Sequence, residues 1–187
     1  MSDAVRPLAG RRIALLIEEG FSARQVIEPR RQLGDAGASV VLVGFNTKTE
    51  YRDKTGTLTL TADEPASRVR VAELDALVIP GGYAPDRMRL RHAMVDLATG
   101  MMTSGRTVAA ICHGPQLLIT ANVLRGRTLT CWPSIAVDVK NAGGLYVDRP
   151  VVRDSNLITA RKSQDLPLFL DALVTALSAP PVPARRP

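Results

Sequence analysis

Thiol, imidazole and small residues come together in one segment of this chain, residues 107–123 (TVAAICHGPQLLITANV), where an apolar run leads into Cys112, His113 and Gly114 and then Pro115 heads a helical pattern. A buried strand that turns sharply into a helix lifts the side chain at the turn out of the sheet. Such a nucleophile elbow needs small neighbours, here Ala110 and Gly114. The free N–H groups and the positive end of the helix then point at that side chain and favour thiolate over thiol. The expectation is an acidified Cys112 able to attack an electrophilic carbon or to be oxidised. The plainer alternative is that Cys112 is a small core residue and His113 merely opens a helix, because free buried cysteines commonly do nothing but pack. Cys131, beside Trp132 and Pro133, has neither an elbow nor an adjacent base and reads as a core cysteine. Pro80-Gly81-Gly82 closes another apolar run; it is either a turn presenting backbone N–H groups to an oxyanion or a simple strand-to-helix turn needing positive φ.

These groups need a scaffold, and the apolar pattern supplies one. Residues 12–18, 39–43, 75–80 and 107–111, with a shorter run at 156–159, are aliphatic nearly throughout, as strands buried on both faces should be. Between them, 23–36 reads as a helix with Ser22 as N-cap, Gly37 as its left-handed stop and Pro29 bending it from inside. Met94, Leu97, Ala98, Met101 and Met102 form one stripe over 92–103; Leu166, Phe169, Leu170, Leu173 and Leu177 form another over 165–177. Strands alternating with helices predict a mostly parallel central sheet with helices on both faces. The polar, alternating stretch 47–61 predicts a small antiparallel excursion at an edge of that sheet. One domain is expected over 11–178, with flexible tails at 1–10 and 179–187.

Composition narrows the function classes. Of 187 residues, 45% are apolar and 22% charged, the balance of a compact globular chain. No apolar run is long enough to cross a bilayer and no secretory leader is visible, so the expected location is the cytoplasm and no membrane partner is expected. The net charge is +6, but the arginines are dispersed, acids are interleaved among them and aromatics are only 4%, so a solvated basic surface is favoured over a specific nucleic-acid site. Two cysteines and two histidines are too few at metal spacing for a zinc site. After the first strand the chain reads EEGFSARQ, without the glycine-rich turn that holds a dinucleotide; no cofactor is expected.

Several segments taken together, AICHGPQLLI, DALVIPGG followed by YAPDRMR, VLRGRTLT, DVKNAGG and LITARKSQDLP, resemble the DJ-1/PfpI family, most closely its PfpI-like, intracellular protease I-like branch. The similarity runs over about residues 12–177. It implies a flavodoxin-like three-layer sandwich that assembles as a homodimer or a larger ring of dimers. It further implies a cytoplasmic stress-response protein working as a cysteine-dependent hydrolase of peptidase or amidase type, or as a glyoxalase or deglycase on reactive carbonyls. Carried over residue by residue, Cys112 is the reactive thiol, His113 its catalytic partner, and the backbone N–H groups of Gly82 and His113 the oxyanion donors. Asp86 takes the place of the acid that a neighbouring subunit offers to the histidine.

One departure stands out. Phe21 and Pro29 fix the register in which the family carries a glutamate beside the cysteine, and that place is held here by Gln25. An amide can donate a hydrogen bond to sulfur but cannot shuttle a proton. Glu18, Glu19 and Glu28 are either replacements for the missing carboxyl or ordinary solvent-facing charge. The family's serine-arginine pair near the last strand is Ala160-Arg161, which removes a hydroxyl. The alternative function is therefore a non-enzymatic, redox-responsive stress protein or chaperone acting through oxidation of Cys112. A glutamine amidotransferase triad is excluded, since no histidine follows His113, and His92 reads as a surface residue.

Overall fold

Aliphatic runs without a polar break must be covered on both faces, and these runs lie side by side in one sheet. The computed structural model describes residues 6–178. In chain order come β1 (Arg12–Leu16), α1 (Ala23–Asp35), β2 (Ser39–Gly44), β3 (Glu50–Arg52), β4 (Thr59–Thr61), β5 (Glu64–Pro65), β6 (Ala76–Ile79), α2 (Ala84–Met88) and α3 (His92–Thr103). Then follow β7 (Thr107–Ile111), α4 (Pro115–Thr120), β8 (Thr128–Leu129), α5 (Ala136–Asn141), β9 (Leu145–Tyr146), β10 (Val151–Asp154), β11 (Leu157–Ala160) and α6 (Leu166–Ser178). The main sheet has the order β10-β11-β7-β6-β1-β2-β5 and is parallel except where β10 runs against β11. All of β6 and β11 is buried, as is β1 beyond Arg12 and β7 beyond Thr107.

Helices α1 and α6 touch each other and lie against β2, β7 and β11, whereas α3 lies against β6 and β7. The fold is a flavodoxin-like α/β sandwich, as expected. From β1 the chain steps to β2 on one side and to β6, β7 and β11 on the other. The strand order therefore reverses between β1 and β6, and open α/β sheets place their sites at the carboxyl ends of the strands there.

Local chemistry departs from expectation at a few points. Leu8 is fully buried and its N–H bonds to Ala36 O at 2.9 Å, so the expected tail over 1–10 is docked from residue 6 onward; residues 1–5 and 179–187 lie outside the described residues. Ser22 occupies the N-cap position of α1 but makes no capping bond with its side chain, its backbone N–H going to Gly81 O instead. Pro29 sits within a continuous α1 and removes the N–H that would reach back to the carbonyl of Gln25. The excursion at 47–61 is antiparallel, β3 with β4, but forms its own ribbon while β5 takes the sheet edge. Among the described residues no helix is long and apolar enough to cross a membrane.

Candidate active site

The last residue of β7 hands the chain to Cys112, whose φ is +63°, a left-handed conformation that costs an L-residue about 1–2 kcal/mol. Three backbone bonds hold it there: Cys112 N–H to Ala160 O at 2.9 Å, Trp132 N–H to Cys112 O at 2.9 Å, and Gly114 N–H to Ile111 O at 2.9 Å. Gly114 has no alternative residue, because a Cβ would stand 2.5 Å from the carbonyl oxygen of Ile79. The expected elbow is present. It sets Cys112 Sγ 3.3 Å from His113 Nδ1.

The electrostatics run against the sequence expectation. Burial pushes the Cys112 thiol up, more strongly than the N–H of His113, the amide of Gln25, the N–H of Gly82 and the Lys54 ammonium pull it down. Cys112 is thus held as a thiol rather than acidified; α4 has only six residues, and sulfur at this depth has lost most of its water. His113 moves the opposite way, its pKa lowered first by burial and then by Lys54. The resting pair is neutral thiol and neutral imidazole. With its proton on Nε2, the ring can receive the thiol proton at Nδ1 as sulfur attacks. Trp132 stacks on the imidazole at 5.8 Å between centroids and 27° between planes, which orients the ring.

Gln25 is almost wholly buried beside the thiol. Its Oε1 accepts from Gly81 N–H at 2.7 Å and its Nε2 donates to Ser163 Oγ at 2.8 Å. Among the described residues no glutamate contacts Cys112 in place of the missing carboxyl. Glu18 is not solvent-facing as expected: it is 3% exposed at the end of β1, where it accepts from Glu19 N–H at 3.0 Å and pairs with Arg91 at 3.0 Å. Glu19 accepts from Arg52 N–H, and Glu28 pairs with Arg24 along α1.

Gly82 follows with φ +87°, paired in antiparallel fashion with Phe21. Gly82, Tyr83, Asp86, Arg87, His113 and Gln116 line one cavity of about 430 Å³. The structure therefore gathers Cys112, His113, Gly82 and Gln25 around the elbow and puts Asp86 on the cavity that Gly82 and His113 line beside it. Among the described residues, however, Asp86 makes no hydrogen bond to His113. Its side chain is 75% exposed and its charge partner is Arg89 at 3.9 Å.

Sequence reasoning did not find Trp132, Ser163, Lys54 or the pairing of buried Glu18 with Arg91. Trp132 follows Cys131 directly, and only packing across the elbow shows that it meets His113. A signal for Lys54 did exist, since Asp53-Lys54-Thr55-Gly56 has the composition of an Asx-type turn.

Comparison with known proteins agrees with this fold. Residues 11–176 match the model of the DJ-1/PfpI family. The protein/nucleic acid deglycase 2 of Escherichia coli is 40% identical over 85% of this chain and 93% of its own length. General stress protein 18 of Bacillus subtilis is 37% identical over 86% of this chain and 94% of its own length. Among solved structures, a two-domain protein of Anabaena variabilis with DJ-1/ThiJ/PfpI-like and ferritin-like domains superposes with a TM-score of 0.89 at 39% identity. That match covers 95% of this chain, which spans about half, 52%, of the two-domain protein.

Proposed function

The chain belongs to the DJ-1/PfpI family, and from that premise we propose that it is a cytoplasmic, stress-related, cysteine-dependent enzyme that adds Cys112 to small reactive carbonyls or their adducts, in the manner of a glyoxalase or deglycase. The observation that carries this reading is the neutral Cys112–His113 pair, in contact at 3.3 Å, with the two pKa values displaced in opposite directions. A sensor works through a resting thiolate, which burial opposes here, whereas a catalyst needs only a base that takes the proton during attack. A cavity of about 430 Å³ suits a small aldehyde or a side-chain adduct better than a folded protein.

In the addition step the Sγ–C bond forms, the π electrons of the carbonyl move to its oxygen, and the thiol proton passes to His113 Nδ1. The backbone N–H groups of Gly82 and His113 receive the oxyanion. The imidazolium then returns the proton to that oxygen or to a departing amine. Gln25 positions the thiol and the Gly81 N–H but takes no part in proton transfer.

The active unit is a homo-oligomer in which Asp86 of one subunit orients His113 of its neighbour. The 75% exposure of the Asp86 side chain, which among the described residues makes no hydrogen bond to His113 of its own chain, supports this. The test is consumption of methylglyoxal, and release of amine from its adducts, by the wild type, by Cys112→Ser and by Asp86→Ala. Wild-type turnover that is lost in both variants and partly regained on mixing them supports both the chemistry and its sharing between subunits. An inert wild type, or an active Cys112→Ser, sinks the reading; cleavage of a peptide instead would favour the peptidase alternative.

A further inference from the structure

The cations of α2 and its surroundings are engaged: Arg87 with the carbonyl of Glu19 at 3.4 Å, Arg89 with Asp86, and Arg91 with Glu18. Lys54 differs. It is exposed, and among the described residues its ammonium has no ion-pair or hydrogen-bond partner.

Its place is nevertheless built. Asp53, 5% exposed, accepts from Thr55 Oγ1 at 2.6 Å and from the N–H groups of Thr55, Thr57 and Leu58 at 3.1, 2.8 and 2.9 Å, which closes the turn between β3 and β4. Lys54 N–H donates to Phe21 O at 2.8 Å, and Gly20 N–H to Arg52 O at 2.8 Å, so the turn is fastened to the β1–α1 loop on both sides of Asp53. Phe21 itself bridges to Asp53 on one side and to Gly82 on the other. The residue carrying the free ammonium is thus one backbone bond away from the neighbour of the oxyanion turn. Its charge acts on both Cys112 and His113.

We propose that Lys54 selects anionic substrates: its ammonium receives the carboxylate of a small carbonyl acid while Cys112 adds to the adjacent carbonyl carbon. This rests on the function proposed above and narrows it to aldehydes and ketones carrying a carboxylate within a few bonds of the reacting carbon. A lysine on a flexible stem suits the task, since it attracts as a point charge without demanding the two-pronged geometry of arginine. The bond changes are those of the addition step, with the carboxylate a spectator held by charge.

Two readouts separate this proposal from the enzyme reading. The first needs no turnover: the rate of alkylation at Cys112 by anionic iodoacetate divided by that by neutral iodoacetamide, followed by peptide mass spectrometry. A single charge at partly screened range predicts a ratio about tenfold lower in Lys54→Met, recovered in Lys54→Arg and falling with salt in the wild type. The second is the kcat/KM for glyoxylate relative to methylglyoxal, predicted to fall by about the same factor in Lys54→Met, through KM. An unchanged alkylation ratio overturns the proposal. If both carbonyls are turned over with an unchanged ratio, the Lys54 assignment falls and the enzyme reading stands. If neither is turned over while the alkylation ratio falls, the enzyme reading fails and the selection of anions at Cys112 stands.

Discussion

One backbone bond, Trp132 N–H to Cys112 O at 2.9 Å, ties Cys112 to the residue that follows Cys131, yet the surroundings of the two thiols prepare them for different fates. Both are free and buried. Cys131 is fully enclosed, no donor among the described residues offsets its burial, and its thiol is pushed up to about 12. Cys112 is buried too, but its strained turn brings it against the N–H of His113, the N–H of Gly82, the amide of Gln25 and the imidazole. Burial raises both thiols, and what differs is whether hydrogen-bond donors and a base stand ready for the charge that reaction creates. What separates the two thiols is the turn rather than the residue type.

The comparison breaks most sharply by deletion. Cys112→Ser is expected to lower carbonyl consumption by about a thousandfold or more, as loss of a nucleophile does, whereas Cys131→Ser leaves turnover intact. Equal losses would end the distinction. Alkylation against pH sharpens it further: Cys112 should react with a midpoint above that of an ordinary thiol, and Cys131 should be labelled only after unfolding. His113→Gln should cost about a hundredfold in kcat, the usual contribution of a general base. Because the imidazole must be neutral to accept a proton and its pKa is lowered, the wild-type acid limb should lie below the usual 6.5 of histidine. Activity there falls as pH drops, and the limb should vanish in His113→Gln.

Gln25→Glu should raise turnover by on the order of a hundredfold. A buried, protonated carboxyl can keep the contacts to Gly81 N–H and Ser163 Oγ while adding a transferable proton. No gain, with the fold intact by circular dichroism, would mean that the carboxyl is not limiting.

The smallest effect concerns the turn that holds Lys54. Hydrogen bonds, the one from Thr55 Oγ1 foremost, hold Asp53 at about 2, below its ordinary 3.8. A carboxylate depressed in the folded state contributes stability above its unfolded pKa and loses it as pH falls through the folded one. Asp53→Asn should therefore lower Tm at neutral pH, with the gap to wild type closing between about pH 4 and about pH 2.

Much of the scaffold was legible in the pattern of residues. Segments 107–111 and 92–103 form their elements at the expected boundaries, and the other long elements begin and end within a residue or two of theirs, because strands covered on both faces and helices with one apolar stripe announce themselves by period. Cys112, His113, Gly82 and Gln25 were all marked beforehand, the elbow by its local pattern and Gln25 by resemblance. The state of the thiol was not. A pattern shows the helix that follows a cysteine but not the depth at which the sulfur lies, and here depth outweighs the donors. The burial of Glu18 is hidden from the sequence for a similar reason: its charge partner, Arg91, lies far along the chain and meets it only in the folded structure.

By itself the amino-acid order determined the element order and the elbow, since each depends on neighbours within a few residues, while the amide at position 25 stood out only through the family resemblance. The tertiary structure decided the rest. It placed Trp132 on His113, Ser163 on Gln25 and Lys54 on the loop that pairs with Gly82, and it held the thiol and imidazole neutral, because desolvation and charge act through space and have no period along the chain.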